Sequence, residues 1–91
     1  MRLSTFMASE VKRWIVYMLR CSDDSLYTGI TTDLNRRIDE HSSGRGSKYV
    51  ASRTPIEAEY IELGHDRSSA LKREAQIKNL SKDEKERLCE T

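Results

Sequence analysis

Hydrophobic and polar positions divide the chain after Arg13 into alternating apolar and polar segments. Residues 14–19 are apolar on both faces and rich in β-formers, which predicts a central strand covered on both sides. The Ser-Asp-Asp-Ser cluster at 22–25 is typical of a turn, and residues 26–31 predict the second strand of a hairpin. Residues 1–12 have no periodic pattern, so we expect a disordered N-terminal segment.

The rest of the chain continues with helices and one further strand. Asp33 is a good N-cap for a helix over 34–43 that ends at Gly44. Pro55 precedes a strand over 56–63, and acids on one of its faces favour an edge position.

Two further helices are predicted after that strand. Asp66 caps one over 67–79, and Ser81 caps another that ends at Leu88. With 91 residues, the chain is expected to form one domain over 13–88, followed by a short tail over 89–91.

Composition excludes several classes of protein. The chain is 36% hydrophobic and 34% charged, and none of its apolar runs approaches the roughly 18 residues of a membrane-spanning helix. The N-terminal segment lacks the apolar core of a signal peptide. Cys21 and Cys89 stand 68 positions apart with no partner motif, so we expect reduced thiols and a cytoplasmic location.

Charge is unevenly distributed, although the formal net charge is only +1. Residues 34–53 carry a local balance of +3, whereas residues 54–66 carry −4. A polyanion would be attracted to the first region and repelled by the second. An ordinary surface with uneven charge is the alternative interpretation.

The two strands of the hairpin carry three residues of interest. Tyr17 and Tyr27 are most simply core residues whose hydroxyls find a partner. Gly29 interrupts the second strand, which indicates either the close approach of another backbone or a ligand, or a β-bulge.

The first helix carries a candidate arginine and histidine. Leu34, Ile38 and His41 form one stripe on its inward face. Arg37 lies beside this stripe and Arg36 points largely away, so Arg37 is the arginine directed at the sheet. A histidine on such a stripe is more often a satisfied core residue than a reactive one.

A glycine- and serine-rich basic stretch follows, at residues 44–53. It predicts a loop with one short helical turn, and it includes Arg45, Lys48 and Arg53. Such a loop either follows a phosphodiester backbone or serves as a solvated connector.

The penultimate helix places a glutamate on its apolar side. Ala70, Leu71 and Ile77 form an apolar arc with Glu74 in its middle. Burial of an unpaired carboxylate is costly. Glu74 is therefore either ion-paired to Lys78 or Arg67 across the helix surface, or held at the rim of the core and directed into a cleft.

Taken in order, Tyr17, Tyr27, Gly29, Arg37, His41 and Glu74 resemble the pattern of the GIY-YIG nuclease superfamily. The first two motifs read Ile15-Val-Tyr17 and Tyr27-Thr-Gly29, so Ile15 replaces the first glycine and Thr28 replaces an isoleucine. Ala70, Glu74, Ile77 and Lys78 are similar to the closing signature of small stand-alone bacterial members. The resemblance covers residues 13–88.

The resemblance implies an α+β fold with a three-stranded antiparallel sheet flanked by helices. It implies that Tyr27 is the general base or water-activating phenol, supported by Tyr17, with His41 near the nucleophile. Arg37 would contact the scissile phosphate. Glu74 would hold one divalent cation, Mg²⁺ or Mn²⁺, and Asn79 would be a polar residue at the end of the same helix.

These residue types suit phosphodiester hydrolysis. An arginine fork and a hard cation stabilise charge on phosphoryl oxygens, and Mg²⁺ often needs only one or two protein carboxylates. We therefore expect a metal-dependent endonuclease that acts on DNA, structure- or damage-directed, in repair or recombination. The residues expected to contact nucleic acid are Arg36, Arg45, Lys48 and Arg53.

Two alternatives remain. One is a nucleic-acid-binding module of the same fold with little intrinsic cleavage, which depends on a protein partner for affinity. The other is a purely structural interaction domain, in which Arg37 and Glu74 are incidental. We expect a monomer that does not interact with membranes.

Overall fold

The computed structural model describes residues 12–91, so the N-terminal segment predicted to be disordered lies almost entirely outside the described residues. Residues 12–91 form a three-stranded sheet and four helices. The strands are β1 (Trp14–Arg20), β2 (Leu26–Thr31) and β3 (Glu57–His65). The helices are α1 (Leu34–Ser42), α2 (Lys48–Ala51), α3 (Arg67–Lys78) and α4 (Lys82–Cys89).

The sheet is antiparallel with β1 in its centre, between β2 and β3. This confirms the predicted fold class and both strand positions, the apolar β1 inside and the acidic β3 at an edge. In the β1–β2 pair Tyr17 lies opposite Gly29 and Leu19 lies opposite Tyr27. Residues opposite each other in a pair project from the same face, so the two tyrosines share one face of the sheet.

The predicted caps form as expected. The Asp33 side chain accepts a hydrogen bond from the backbone of Arg36 at the start of α1, and Gly44 follows the helix with a φ of +82°. Asp66 and Ser81 each form a capping box, on α3 and α4 respectively. These local signals depend on backbone groups within a few residues, which is why the sequence reveals them.

The main apolar core lies on one face of the sheet, beneath α3 and α4. Val16 and Met18 of β1 pack against Ala70 and Ile77 of α3, and all four are fully buried. Half-buried residues complete this core, among them Trp14, Leu26, Ile30, Tyr60, Leu80, Leu88 and Cys89.

The opposite face of the sheet is the one that α1 and α2 cover. Tyr17 and Leu19 project there because side chains alternate along a strand, and His41 of α1 and Val50 of α2 are buried as well. Tyr17 and Tyr27 thus lie in a different layer from α3.

Some boundaries and one buried position differ from the prediction. Leu71 is 40% exposed, because it is turned about 100° from Ala70 on the helix. β3 begins at Glu57 rather than Ile56 and reaches His65, which pairs with Trp14. α4 includes Cys89, which was predicted to begin the tail. Cys21 and Cys89 are free thiols. Within the described part of the chain, no helix is long and apolar enough to cross a bilayer.

Candidate functional site

The centre of the site is the contact between the Tyr17 ring and the backbone of Gly29. A Cβ on Gly29 would lie only 2.5 Å from Cζ of Tyr17 and closer still to its hydroxyl oxygen. The β1–β2 pairing continues through Gly29 without a register shift. A bulge therefore does not explain this glycine: it makes room for the tyrosine ring of the neighbouring strand.

His41 brings α1 into contact with Tyr17. Its Nε2 shares a hydrogen bond of 3.0 Å with the Tyr17 hydroxyl, and the imidazole is 0% exposed. Its Nδ1 has no hydrogen-bond partner among the described residues. The ring packs against Gly46, where a Cβ would lie 2.8 Å from Cγ of His41.

Both members of this pair are held in their neutral forms. Burial raises the pKa of the Tyr17 phenol, an effect that the neighbouring Arg37 guanidinium opposes. Burial also lowers the pKa of His41, and the Arg37 charge acts in the same direction. At neutral pH we therefore expect a protonated Tyr17 hydrogen-bonded to an uncharged imidazole.

Arg37 faces the sheet as predicted, and Arg36 does not. The Arg37 side chain is 33% exposed against 75% for Arg36. Nη1 of Arg37 donates to Oε1 of Glu40 at 2.9 Å, and this bond raises the pKa of Arg37. Both arginines line a cavity of about 270 Å³ between α1 and the edge of the sheet, together with Trp14 and Thr31.

Tyr27 is the more open of the two tyrosines. It is half-buried, whereas Tyr17 is 1% exposed. Its ring centroid lies 5.3 Å from that of His41 in an edge-on arrangement. On α2, Tyr49 stacks on Tyr27 with a centroid separation of 6.0 Å and an interplanar angle of 24°.

Glu74 reaches the site from the other layer. It lies on α3, which contacts both β1 and β2, and its charge acts to raise the pKa of Tyr17. Its side chain is 20% exposed and pairs with Lys78 at 3.3 Å. This is one of the two ion pairs expected from the sequence. Because β2 is an edge strand, groups from both layers can meet beside it.

The fit of these residues to a divalent cation depends on Glu74. In the chain from Lys12 to Thr91, no three His, Cys, Asp or Glu side chains are grouped so that they could enclose a metal ion. A single carboxylate nevertheless suits Mg²⁺, which keeps several waters and takes its remaining ligands from substrate phosphates. The residues thus fit a cation held by one protein ligand, and do not fit a closed structural site.

The other predicted residues are spread around this centre. Arg45 and Lys48 are exposed before and on α2. Arg53 is engaged within the protein, since its Nε donates to Oδ2 of Asp23 at 2.9 Å. Asn79 is the exposed C-cap of α3, five residues after Glu74.

Sequence reasoning missed three residues of the site: Glu40, Gly46 and Tyr49. The spacing of three between Arg37 and Glu40 is a known pairing distance on helices, so this contact could have been found. Tyr49 could not, because its stack on Tyr27 joins residues 22 positions apart. Gly46 lies only five residues after His41, but its contact depends on how the loop after α1 folds back over the imidazole, which no helical or strand periodicity indicates.

Comparison with known proteins gives a family match across the site. Residues 13–87 match the family described as the GIY-YIG catalytic domain. This range includes every residue of the site described above.

Similar proteins occur in archaea and bacteria. A UPF0213 protein of Haloquadratum walsbyi is 48% identical over 75 residues, which is 82% of this chain and 84% of that protein. A UPF0213 protein of Cupriavidus necator is 51% identical over 77 residues, 84% of this chain and 83% of that protein. The solution NMR structure of a UPF0213 protein from Bacillus halodurans is 41% identical, with a TM-score of 0.53 over 82% of this chain and 80% of that one.

Proposed function

Because the chain belongs to the GIY-YIG family, we propose that it is a metal-dependent endonuclease that hydrolyses phosphodiester bonds in DNA. The observation that carries this proposal is the convergence of Tyr17, Tyr27, Arg37 and His41 beside one edge of the sheet. Tyr17 and Tyr27 both contact His41, and Glu74 acts electrostatically on Tyr17. The proposed substrates are branched, nicked or damaged DNA, as arise in repair and recombination.

Tyr27, once its hydroxyl has lost its proton to solvent, takes the role of general base toward the attacking water. It is the more open of the two tyrosines, and general-base catalysis requires contact with the reacting water. Tyr17 cannot serve in its place, since it is buried and its pKa is raised. Tyr17 and His41 instead form the buried support behind Tyr27, with Gly29 and Gly46 making room for their rings.

Arg37 takes the role of phosphate ligand. Its guanidinium interacts with Tyr17, lines the cavity beside α1, and has donors that Glu40 does not occupy. A planar guanidinium matches two phosphoryl oxygens at once. Arg36, Arg45 and Lys48, all exposed on or beside α1 and α2, would hold the flanking DNA backbone.

Glu74 would hold one divalent cation, Mg²⁺ or Mn²⁺, with water and the substrate phosphate as its other ligands. When bound, such a cation neutralises charge on the phosphoryl oxygens. The chain's own part is to hold the carboxylate half-buried at the edge of the site, where its exchangeable partner is the exposed Lys78.

Two observations favour a second candidate, a DNA-binding module with little intrinsic cleavage that depends on a protein partner for affinity. The Glu40 carboxylate pairs with Arg37 at 2.9 Å, so the arginine is partly neutralised before any phosphate arrives. The formal net charge of +1 also supplies little general affinity for DNA.

The test is incubation of purified protein with branched, nicked and single-stranded DNA, with Mg²⁺ or with EDTA. We expect cleavage of at least one substrate that EDTA abolishes. The substitution Tyr27→Phe removes only a hydroxyl, so the variant should keep its fold. Its rate of DNA cleavage should be about 10²- to 10⁴-fold lower than that of the wild type. Binding without cleavage would support the second candidate, and wild-type rates in Tyr27→Phe would remove Tyr27 from the mechanism.

A further inference from the structure

Tyr49 and Arg53 form a chain of contacts that ends on Tyr27. The Tyr49 ring stacks on Tyr27, and the Arg53 guanidinium carbon lies 3.8 Å from the centroid of the Tyr49 ring. A cation this close to an aromatic face is attracted to it. Because Arg53 covers this face of the Tyr49 ring, a nucleobase cannot stack on it.

Arg53 is itself fixed at several points. Nε donates to Asp23 at 2.9 Å, and Nη1 donates to the backbone carbonyl of Tyr49 at 2.8 Å. The carbonyl of Arg53 accepts from the backbone of Ser22 at 2.8 Å. These bonds tie the end of α2 to the turn between β1 and β2, which is the turn that leads into Tyr27.

From these contacts we infer that Tyr49 and Arg53 are positioning residues that hold the Tyr27 phenol in its working orientation. The inference rests on the proposed nuclease function, and it assigns Arg53 a different task from the phosphate contact expected from the sequence. A tyrosine takes a proton from water only as the phenolate, which becomes the phenol. Its oxygen must be held within a fraction of an ångström, since misplacement by about 1 Å can cost about 10²-fold in rate.

The stack needs the ring of Tyr49 and not its hydroxyl. That hydroxyl has no hydrogen bond to any of the residues from 12 to 91, and Tyr49 is 40% exposed. Tyr49→Phe should therefore keep the stack on Tyr27, whereas Tyr49→Leu removes it. Arg53→Lys keeps the charge but loses the planar fork that binds Asp23 and the Tyr49 carbonyl together.

The first arm of the experiment does not depend on cleavage. In protein labelled with ¹³C-tyrosine, the ring signals of Tyr27 are assigned by their loss in Tyr27→Phe. We expect Tyr49→Leu and Arg53→Lys to shift these signals, and Tyr49→Phe to leave them near their wild-type positions. Unchanged Tyr27 signals in folded Tyr49→Leu or Arg53→Lys protein would overturn the inference. If the wild type cleaves no DNA, the proposed function fails and this arm still decides the inference.

The second arm measures cleavage and its salt dependence. Tyr49→Leu should lower kcat by about 10- to 100-fold, because the water-activating group is displaced. KM should change little, because the residues that contact DNA stay in place. Arg53→Lys should lower kcat too, and should add nothing in a Tyr49→Leu background, since the two residues act through one chain of contacts.

Arg45 provides the matched control for charge. Arg45→Gln should flatten the salt dependence of DNA binding, and Arg53→Gln should not. Wild-type kcat in Arg53→Lys, together with a flattened salt dependence in Arg53→Gln, would identify Arg53 as a phosphate contact and overturn its positioning role.

Discussion

The ring of Tyr17 lies across the backbone of Gly29, its partner on the neighbouring strand, and occupies the space that a Cβ would need. The contact explains why glycine is tolerated within β2, where it weakens a strand by about 0.5–1 kcal/mol relative to alanine. It also places the Tyr17 hydroxyl within hydrogen-bonding distance of His41.

Gly29→Ala should lower the free energy of unfolding by about 1–3 kcal/mol, because the methyl group would overlap the Tyr17 ring. Urea unfolding measures the change. The control is the same substitution in a Tyr17→Leu background, where the shorter side chain should remove most of the cost. An equal cost in both backgrounds would mean that the ring is not what excludes a side chain at position 29.

Thr28 places an unpaired hydroxyl in the apolar core. Its side chain is buried, and Oγ1 has no hydrogen-bond partner among the described residues. Thr28→Val keeps the shape and should raise the free energy of unfolding by about 1 kcal/mol. Thr31→Val is the matched control. Oγ1 of Thr31 accepts from the backbone of Asp33 at 3.1 Å, so its loss should destabilise the protein.

His41 should make the protein sensitive to mild acid. Its pKa is lowered from 6.5 by burial and by the Arg37 charge, so the folded protein binds this proton less readily than the unfolded chain does. The stability associated with neutral His41 is present above pH 6.5 and is lost as the pH falls toward the lower pKa of the folded state.

Thermal or urea unfolding between pH 7 and pH 5 measures this loss, which should be smaller in His41→Gln whatever the absolute stability of that variant. His65→Gln keeps His41 and should retain the loss. If His41→Gln loses as much stability between pH 7 and pH 5 as the wild type does, another group causes the acid sensitivity.

A substitution at Glu74 tests whether this residue is a metal ligand or a structural ion-pair partner. Its pair with Lys78 joins residues four apart, with Lys78 53% exposed, and such pairs contribute about 0.3–0.5 kcal/mol. Glu74→Gln should therefore change the melting temperature little without metal. It should abolish both Mg²⁺-dependent cleavage and any upward thermal shift caused by Mg²⁺ or Mn²⁺.

Lys78→Gln is the control for Glu74, because it removes the pair and keeps the carboxylate, so the response to the cation should persist. A Glu74→Gln protein with a lower melting temperature that still cleaves DNA would contradict the assignment of Glu74 as a metal ligand.

Charge reversal at Arg45 and Lys48 should weaken DNA binding and flatten its salt dependence. Each lost phosphate contact reduces the slope of log K against log salt concentration by about 0.9. Binding titrations at several salt concentrations measure the slope. Reversal at Lys72 and Arg87, exposed residues of α3 and α4, makes the same charge change on other helices and should alter the slope less. An unchanged slope in the variant with both Arg45 and Lys48 reversed would mean that DNA binds to a different part of the surface.

The sequence by itself determined the order and type of the elements and the family. A continuous apolar run marked β1 as the central strand, and Asp33, Asp66 and Ser81 marked three helix starts, since these signals act through neighbouring residues. Helical periodicity also separated Arg37 from Arg36. The ordered tyrosines, arginine, histidine and glutamate indicated the GIY-YIG family, which the family match over residues 13–87 confirms.

Tertiary structure alone decided how the site is built. The shared face of Tyr17 and Tyr27 follows from the register of β1 on β2, which a turn of uncertain length leaves open by one residue. The partner of Arg53 is Asp23, thirty positions earlier, and the stack of Tyr49 on Tyr27 joins two separate elements. Local periodicity specifies which face a side chain occupies. It does not specify what lies opposite, because that depends on how strands pair and layers pack.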